Sequence, residues 1–252
     1  MKHFVLFITI SFLLSCVDKP SHLQSISGKQ LHIDGNLVAD DSVEAFIKPY
    51  RQRINTVLDS VLAFAPEDID KSDGELNSSL GNLMADIILK QAAPIFKMRT
   101  GKEVDMALMN YGGIRNVISA GDVTARNAFE VMPFENHIVV VKISGSVVRE
   151  MVNYLVESDR PQPISGIKIV LNKEGRLQNV TVRGTPLDEE KTYYLATINY
   201  LLEGGGNAEF LKKNSEVTDM NYLLRNAMID YFKSVDTLSA GVDDRFIQLK
   251  NL

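Results

Sequence analysis

Cysteine is almost absent. Of 252 residues only Cys16 carries a thiol, so no intramolecular disulfide framework can be built. Histidine is scarce too: once the first fifteen residues are set aside, three remain, His22, His32 and His137. A two-metal phosphoesterase needs several histidines and carboxylates converging from strand ends. Yet no Asp-x-His, His-x-His or Gly-Asp-x-x-Asp occurs. Gly121-Asp122-Val123-Thr124 fails at its last position, and in Gly206-Asn207-Ala208-Glu209 alanine stands where a Gly-Asn-His-Glu motif has its ligand. A self-contained metallohydrolase is therefore not expected, and no cofactor is expected in this chain. Nor is there a Gly-x-Ser-x-Gly, a Walker loop or a dinucleotide fingerprint. Excess positive charge is missing as well: 27 basic and 32 acidic side chains give −5. Without Lys2 of the leader the count is 26 against 32, or −6. A nucleic-acid polymer, which demands clustered positive charge to release counterions, is a poor partner for such a chain. An anionic small molecule can still be held by one or two placed arginines.

The first residues have a function of their own. Met1-Lys2-His3 is a short basic start, and Phe4 to Leu14 is apolar apart from Thr9 and Ser11. Such a run is too short to span a bilayer and reads as an export signal. Leu13-Leu14-Ser15-Cys16 looks like a lipobox, cut before Cys16 so that its thiol carries lipid; an ordinary secretory signal with an incidental cysteine is the plainer alternative. The expected organisation is a signal peptide over 1–15, a polar tether over 16–40 and a folded domain over 41–252. The expected location is the bacterial cell envelope, lipid-anchored, periplasmic or outer-membrane associated, with contact to the membrane through the lipid on Cys16.

With 45% hydrophobic residues, the roughly 210 residues beyond the tether suit one large domain or two small ones. Val43, Phe46, Ile47, Tyr50, Ile54, Val57, Leu58, Val61 and Leu62 recur at helical spacing, with Asp41 and Glu44 as an expected capping box and Pro49 as an expected kink or second start. A second helix is expected over 80–96, a third from Gly145, and a last one over 220–232. Strands are expected over 104–110, 137–144, 193–198 and 245–249, with a short one at 30–33. Ile167–Leu171 and Leu177–Val182 flank Asn172-Lys173-Glu174-Gly175 as a hairpin. The class is α/β (α+β-like), a mixed β-sheet domain with helices packed on the sheets.

The chemistry sits at strand ends. Asn110 closes a strand, Gly112-Gly113 lets the backbone turn and approach a ligand, and Arg115 offers a planar fork of donors. Phe134, in Pro133-Phe134-Glu135-Asn136, stands just before one strand; Tyr200, in Asn199-Tyr200, stands just after another and ahead of Gly204-Gly205-Gly206. Two rings on separate loops are what sandwiching a planar base requires. Taken singly, each residue has a plainer reading: packing for the rings, a surface ion pair for Arg115, a turn for the glycines.

Their order is more specific. Leu80-Gly81-Asn82-Leu83-Met84-Ala85-Asp86, then Asn110 to Arg115, then Met132 to Asn136, Ser144-Gly145, Ser165-Gly166, Lys191-Thr192-Tyr193 and Asn199-Tyr200 with the glycine run resemble the C-terminal, substrate-binding domain of the 5′-nucleotidase and UDP-sugar hydrolase family. The resemblance extends over Ser42 to Leu252. It implies the 5′-nucleotidase C-terminal domain fold and a nucleotide or nucleoside as ligand. Asn110 and Arg115 would make polar contacts, Phe134 and Tyr200 would stack on the base, and Asn136 would meet the base edge. It also implies divalent metals on a partner metallophosphatase, here a separate chain. Two features depart from the family. No Arg lies within Leu76 to Ser79, ahead of the Leu-Gly-Asn-Leu helix start, and Gly206 stands where the family has an Asp for the ribose, leaving Asn207 as the substitute. The expectation is the nucleoside-binding half of a split periplasmic 5′-nucleotidase; the alternatives are a non-catalytic nucleotide- or nucleoside-binding lipoprotein and a degenerate interaction module.

Overall fold

The computed structural model describes residues 23–250, so the leader and Cys16 lie outside the described residues. The chain divides into two units, 1–48 and 49–252. Between residues 23 and 40 there is neither helix nor strand, so the short strand expected at 30–33 does not form; it has no partner edge to complete its backbone hydrogen bonds.

Helix α1 spans Asp41–Leu58 and runs on through Pro49. Its cap is one residue earlier than expected: the Asp40 carboxylate accepts from the backbone N–H groups of Ser42 (2.8 Å) and Val43 (3.2 Å), which satisfies the first unpaired donors. Val61 and Leu62, expected in this helix, belong to strand β1 (Val61–Ala65), which pairs antiparallel with β3 (Gly121–Thr124).

The buried helix α2 (Ser79–Thr100) shows why the residues after Asn77 fold as they do. The Ser78 hydroxyl caps its start by accepting from Gly81 N–H, and Gly101 ends it in a left-handed conformation, φ 72°. Leu80, Leu83, Met84, Ile87, Ile88, Ala92 and Phe96 are all buried. Each large one contributes about 1.5–3 kcal/mol relative to leaving it in water.

These side chains cover a five-stranded mixed sheet in the order β10-β4-β9-β2-β5. Its strands are β2 (Met106–Leu108), β4 (His137–Ser144), β5 (Ile164–Ser165), β9 (Thr192–Ile198) and β10 (Glu216–Leu223). In β4 the four successive residues Ile138 to Val141 are all buried, so both faces of the strand are covered. Helix α3 is Ala125–Val131; helix α4 (Gly145–Glu157), capped by the Ser144 hydroxyl, also packs on β4 and β9, and the short helix α5 is Asn199–Leu202. The expected hairpin forms as β6 (Ile167–Leu171) with β7 (Leu177–Val182), in a smaller sheet ordered β11-β6-β7-β8 that includes β8 (Thr185–Pro186) and β11 (Phe246–Gln248).

One stretch departs from expectation. Met220 to Leu223, expected as helix, forms the end of β10; helix α6 begins only at Leu224 and runs to Lys233. The strand pairs with β4 up to Asp219, then shifts register, with Asn221 in the left-handed region at φ 50°.

The chain's end is tied to the start of α2 by a buried amide cluster. Asn77 Nδ2 donates to the Asp243 and Phe246 carbonyls (3.0 and 3.1 Å), and Asn77 Oδ1 accepts from Asp243 N–H (3.0 Å) and Asn82 Nδ2 (2.6 Å). Arg245 closes the cluster with two bonds to the Asp86 carboxylate (2.9 and 3.0 Å) and one to the Ile164 carbonyl (2.7 Å). Asn77→Ala strands two carbonyls and two donors, at a cost of about 2–3 kcal/mol in folding free energy. Chemical denaturation measures it; a loss under about half a kcal/mol would show that water replaces these bonds at no cost.

Candidate functional site

The register of the large sheet gathers the site. Strand β9 lies between β4 and β2, antiparallel to the first and parallel to the second: Ile138 faces Ile198, and Ala107 faces Ala196. The loop before β4, the turn after β9 and the turn after β2 therefore emerge along one edge. They carry Phe134 and Asn136, Tyr200, and Asn110 to Arg115 respectively.

These residues line one cavity of about 270 Å³: Asn110, Gly112, Gly113, Arg115, Phe134, Asn136 and Tyr200. Seven of the eight ligand-binding residues expected from the sequence are thus brought together. The eighth, Asn207, lines a neighbouring cavity of about 680 Å³ with Glu150, Asn153, Tyr154 and Gln162. Gly206 lines the larger cavity and adjoins the smaller: it is in the left-handed region at φ 62°, a Cβ there would lie 3.7 Å from Asn110 Cβ, and its carbonyl accepts from the Tyr154 hydroxyl (2.9 Å).

Both rings are half exposed, Phe134 at 42% and Tyr200 at 44%. The plainer reading, packing in the core, does not hold for them. The Tyr200 ring lies against Gly205: a Cβ there would come within 2.6 Å of three ring atoms. The glycine run thus gives the ring a flat backing that any side chain would remove. Arg115 escapes its plain reading too. Its guanidinium stands 6.0 Å from the Phe134 ring centroid and donates to the Gly112 carbonyl (3.3 Å); among the described residues no ion pair engages it.

Tyr111 to Gly113 form one turn of 3₁₀ helix, and Gly113 is packed so closely that a Cβ would meet Met109 Cε at 2.9 Å and Asn110 Oδ1 at 3.0 Å. Asn110 Oδ1 is itself buried and has no hydrogen-bond partner among the described residues. An unmade bond at a buried acceptor costs about 1–3 kcal/mol.

Three supporting residues were not among the expected site residues, and of these only Asn199 lies in a family motif. Arg225, on α6, is buried; it lies 4.2 Å from the Phe129 ring centroid and donates to the Met132 and Phe134 carbonyls (3.4 Å each) and to Glu135 (2.5 Å), so it holds the Phe134 loop from beneath. Asn199 Oδ1 accepts from His137 N–H (3.0 Å), joining the Tyr200 turn to the start of β4. Gln162 Oε1 accepts from Tyr111 N–H (2.8 Å) and steadies the glycine turn. Among the described residues no group of three or more His, Cys, Asp or Glu side chains is gathered to hold a metal ion.

Fold and cavity together define an α/β domain with a cavity built from loops at one edge of a mixed sheet. The chain belongs to the 5′-nucleotidase, C-terminal domain, family, which it matches over residues 61–213. It is 30% identical to protein UshA of Escherichia coli over 151 residues, 57% of this chain and 26% of that protein. To the 5′-nucleotidase of Vibrio vulnificus it is 26% identical over 239 residues, 82% of this chain and 40% of the relative. The structure of a 5′-nucleotidase precursor from Thermus thermophilus superposes with a TM-score of 0.69 at 26% identity, covering 84% of this chain and 44% of that one. The chain spans less than half the length of each of these relatives.

Gly205→Ala tests the ring backing. The added methyl should push the Tyr200 ring away, with a stability change within about 1 kcal/mol because the ring is free to move at the surface. A crystal structure of the variant with Tyr200 unmoved would disprove the packing argument.

Proposed function

We propose that this chain holds the nucleoside part of a 5′-nucleotide, as the binding half of a 5′-nucleotidase whose divalent metals and water nucleophile come from a separate metallophosphatase chain. The observation that carries the reading is the convergence of Asn110, Gly112, Gly113, Arg115, Phe134, Asn136 and Tyr200 on one cavity of about 270 Å³. A planar base lies between the Phe134 and Tyr200 rings, which supply affinity through stacking. Asn110 and Asn136 line the cavity with amide groups suited to polar contacts with the nucleoside. Arg115 offers up to five N–H donors in a plane. Membership of the 5′-nucleotidase family supports a phosphomonoester as substrate class. A lipid on Cys16, which lies outside the described residues, would hold the chain at the cell envelope.

A second reading, a binding lipoprotein with no catalytic role, is favoured by one feature. Gly206 stands where the family has an Asp for the ribose, and Asn207 faces the neighbouring cavity, so the sugar is gripped less firmly.

Calorimetry with adenosine, AMP and UDP-glucose tests the binding. Phe134→Ala should weaken the bound nucleoside by about 1–3 kcal/mol, the loss of one stacked ring. If no nucleoside binds, or if the substitution changes nothing, the base cavity is wrongly assigned. The pure chain with added Mn²⁺, Mg²⁺ or Zn²⁺ should leave AMP intact, and release of phosphate by it would end the split-enzyme reading.

A further inference from the structure

The loop that carries the Phe134 ring has no regular structure to hold it. Residues 132–136 are neither helix nor strand, so their shape must be imposed by neighbours. Much of it is imposed by the start of α6. Leu224 N–H donates to the Asn136 carbonyl (2.9 Å). The next residue, Arg225, donates to the carbonyls of Met132 and Phe134 (3.4 Å each) and to the Glu135 carboxylate (2.5 Å). Every loop residue except Pro133 is thus bonded to two consecutive residues of one helix. The register shift in β10 and the left-handed Asn221 set where that helix begins.

Arg225 is a costly means of holding a loop. Its side chain is 8% exposed, and a buried charge is expensive unless its donors are matched. The buried Nε has no hydrogen-bond partner among the described residues. Both carbonyl bonds, at 3.4 Å, are longer than the usual range of about 2.7–3.2 Å. The short bond goes to Glu135, whose side chain is 72% exposed and is hydrated whether or not Arg225 is there. The Phe129 ring, 4.2 Å from the guanidinium, offsets part of the cost. An apolar side chain of similar length would fill the same space, and such replacements of buried ions are often neutral or stabilising. The charge therefore does something other than stabilise the core.

We propose that Arg225 is a positioning residue for the planar base: by gripping the backbone on either side of Pro133-Phe134, it fixes how the Phe134 ring faces Tyr200 and so sets the affinity for the ligand. Arg225 does not line the base cavity, so it acts only through the loop. The Phe134 ring is 42% exposed and is not locked by packing, which leaves its backbone as the point of control. A guanidinium suits this task because its planar fork reaches two carbonyls and a carboxylate at once. The inference rests on the base-cavity reading for the identity of the ligand, and not for the placement of the ring.

The test is calorimetry with adenosine on the full chain, read beside thermal melting. Arg225→Met should weaken adenosine binding at least about fivefold, the lower end of what losing a stacked ring costs. Its melting temperature should stay within about 4 °C of the unchanged chain, since a poorly compensated charge leaves with the side chain. In a Phe134→Ala background the same substitution should weaken binding no further, because both residues act through one ring. Unchanged adenosine affinity, or losses that multiply in the double variant, overturn the proposal. A collapse of the melting temperature makes Arg225 a structural residue and overturns it too. The sequence has no tryptophan, so Phe134→Trp supplies a single reporter that needs no ligand. Its fluorescence anisotropy should fall when Arg225→Met is added, and an anisotropy that stays put rules out the positioning role. If the unchanged chain binds no adenosine while that anisotropy still falls, the base cavity is wrongly assigned and Arg225 remains the residue that sets the ring.

Discussion

The site depends on the register of three strands. Because β9 pairs antiparallel with β4 and parallel with β2, Val140, Ala196 and Ala107 fall in one row across the sheet. Only with that row set do the start of β4, the end of β9 and the end of β2 lie together. Side chains alternate between faces along a strand, so a slip of one residue in β4 would exchange the face of every residue in it, and Ile138 to Val141, packed against neighbours on both faces, would all have to repack. The core thus enforces the register, and the register delivers Phe134, Tyr200 and Asn110 to the same place. Stability and recognition share one constraint.

That arrangement explains what was legible in the sequence. The strand ends were readable because buried strands are apolar runs that stop abruptly, as at Asn110 and Pro133, and the family motifs mark the same positions. The end of β10 was not readable. Met220, Leu223, Leu224 and Met228 keep a helical spacing, but backbone pairing with β4 and the left-handed Asn221 override it at the first two of them. Local pattern loses to a long-range ladder there. Asp40 in place of Asp41 as the α1 cap is the ordinary one-residue uncertainty of helix ends.

The supporting residues were invisible for a different reason. Arg225 meets the Phe134 carbonyl across 91 residues of sequence, and Gln162 meets Tyr111 across 51. Nothing near Arg225 in the chain distinguishes it from an ordinary basic residue early in a helix. Its role appears only when α6 is packed under the loop before β4, where its charge is compensated by carbonyls, Glu135 and the Phe129 ring. Glycines can be misread in the opposite sense. Gly205 looks like flexibility in the sequence, yet it serves rigidity, since the Tyr200 ring rests on the space a side chain would take.

The distribution of charge completes the argument. The chain carries more acidic than basic side chains, and the large cavity that includes Asn207 is lined by Glu150, Glu157 and Asp159. The base cavity next to it contains no carboxylate, only amides, glycine backbone, two rings and Arg115. The two cavities therefore differ in charge: an anion is repelled from the one that Glu150, Glu157 and Asp159 line, while Arg115 is the one charged group lining the other.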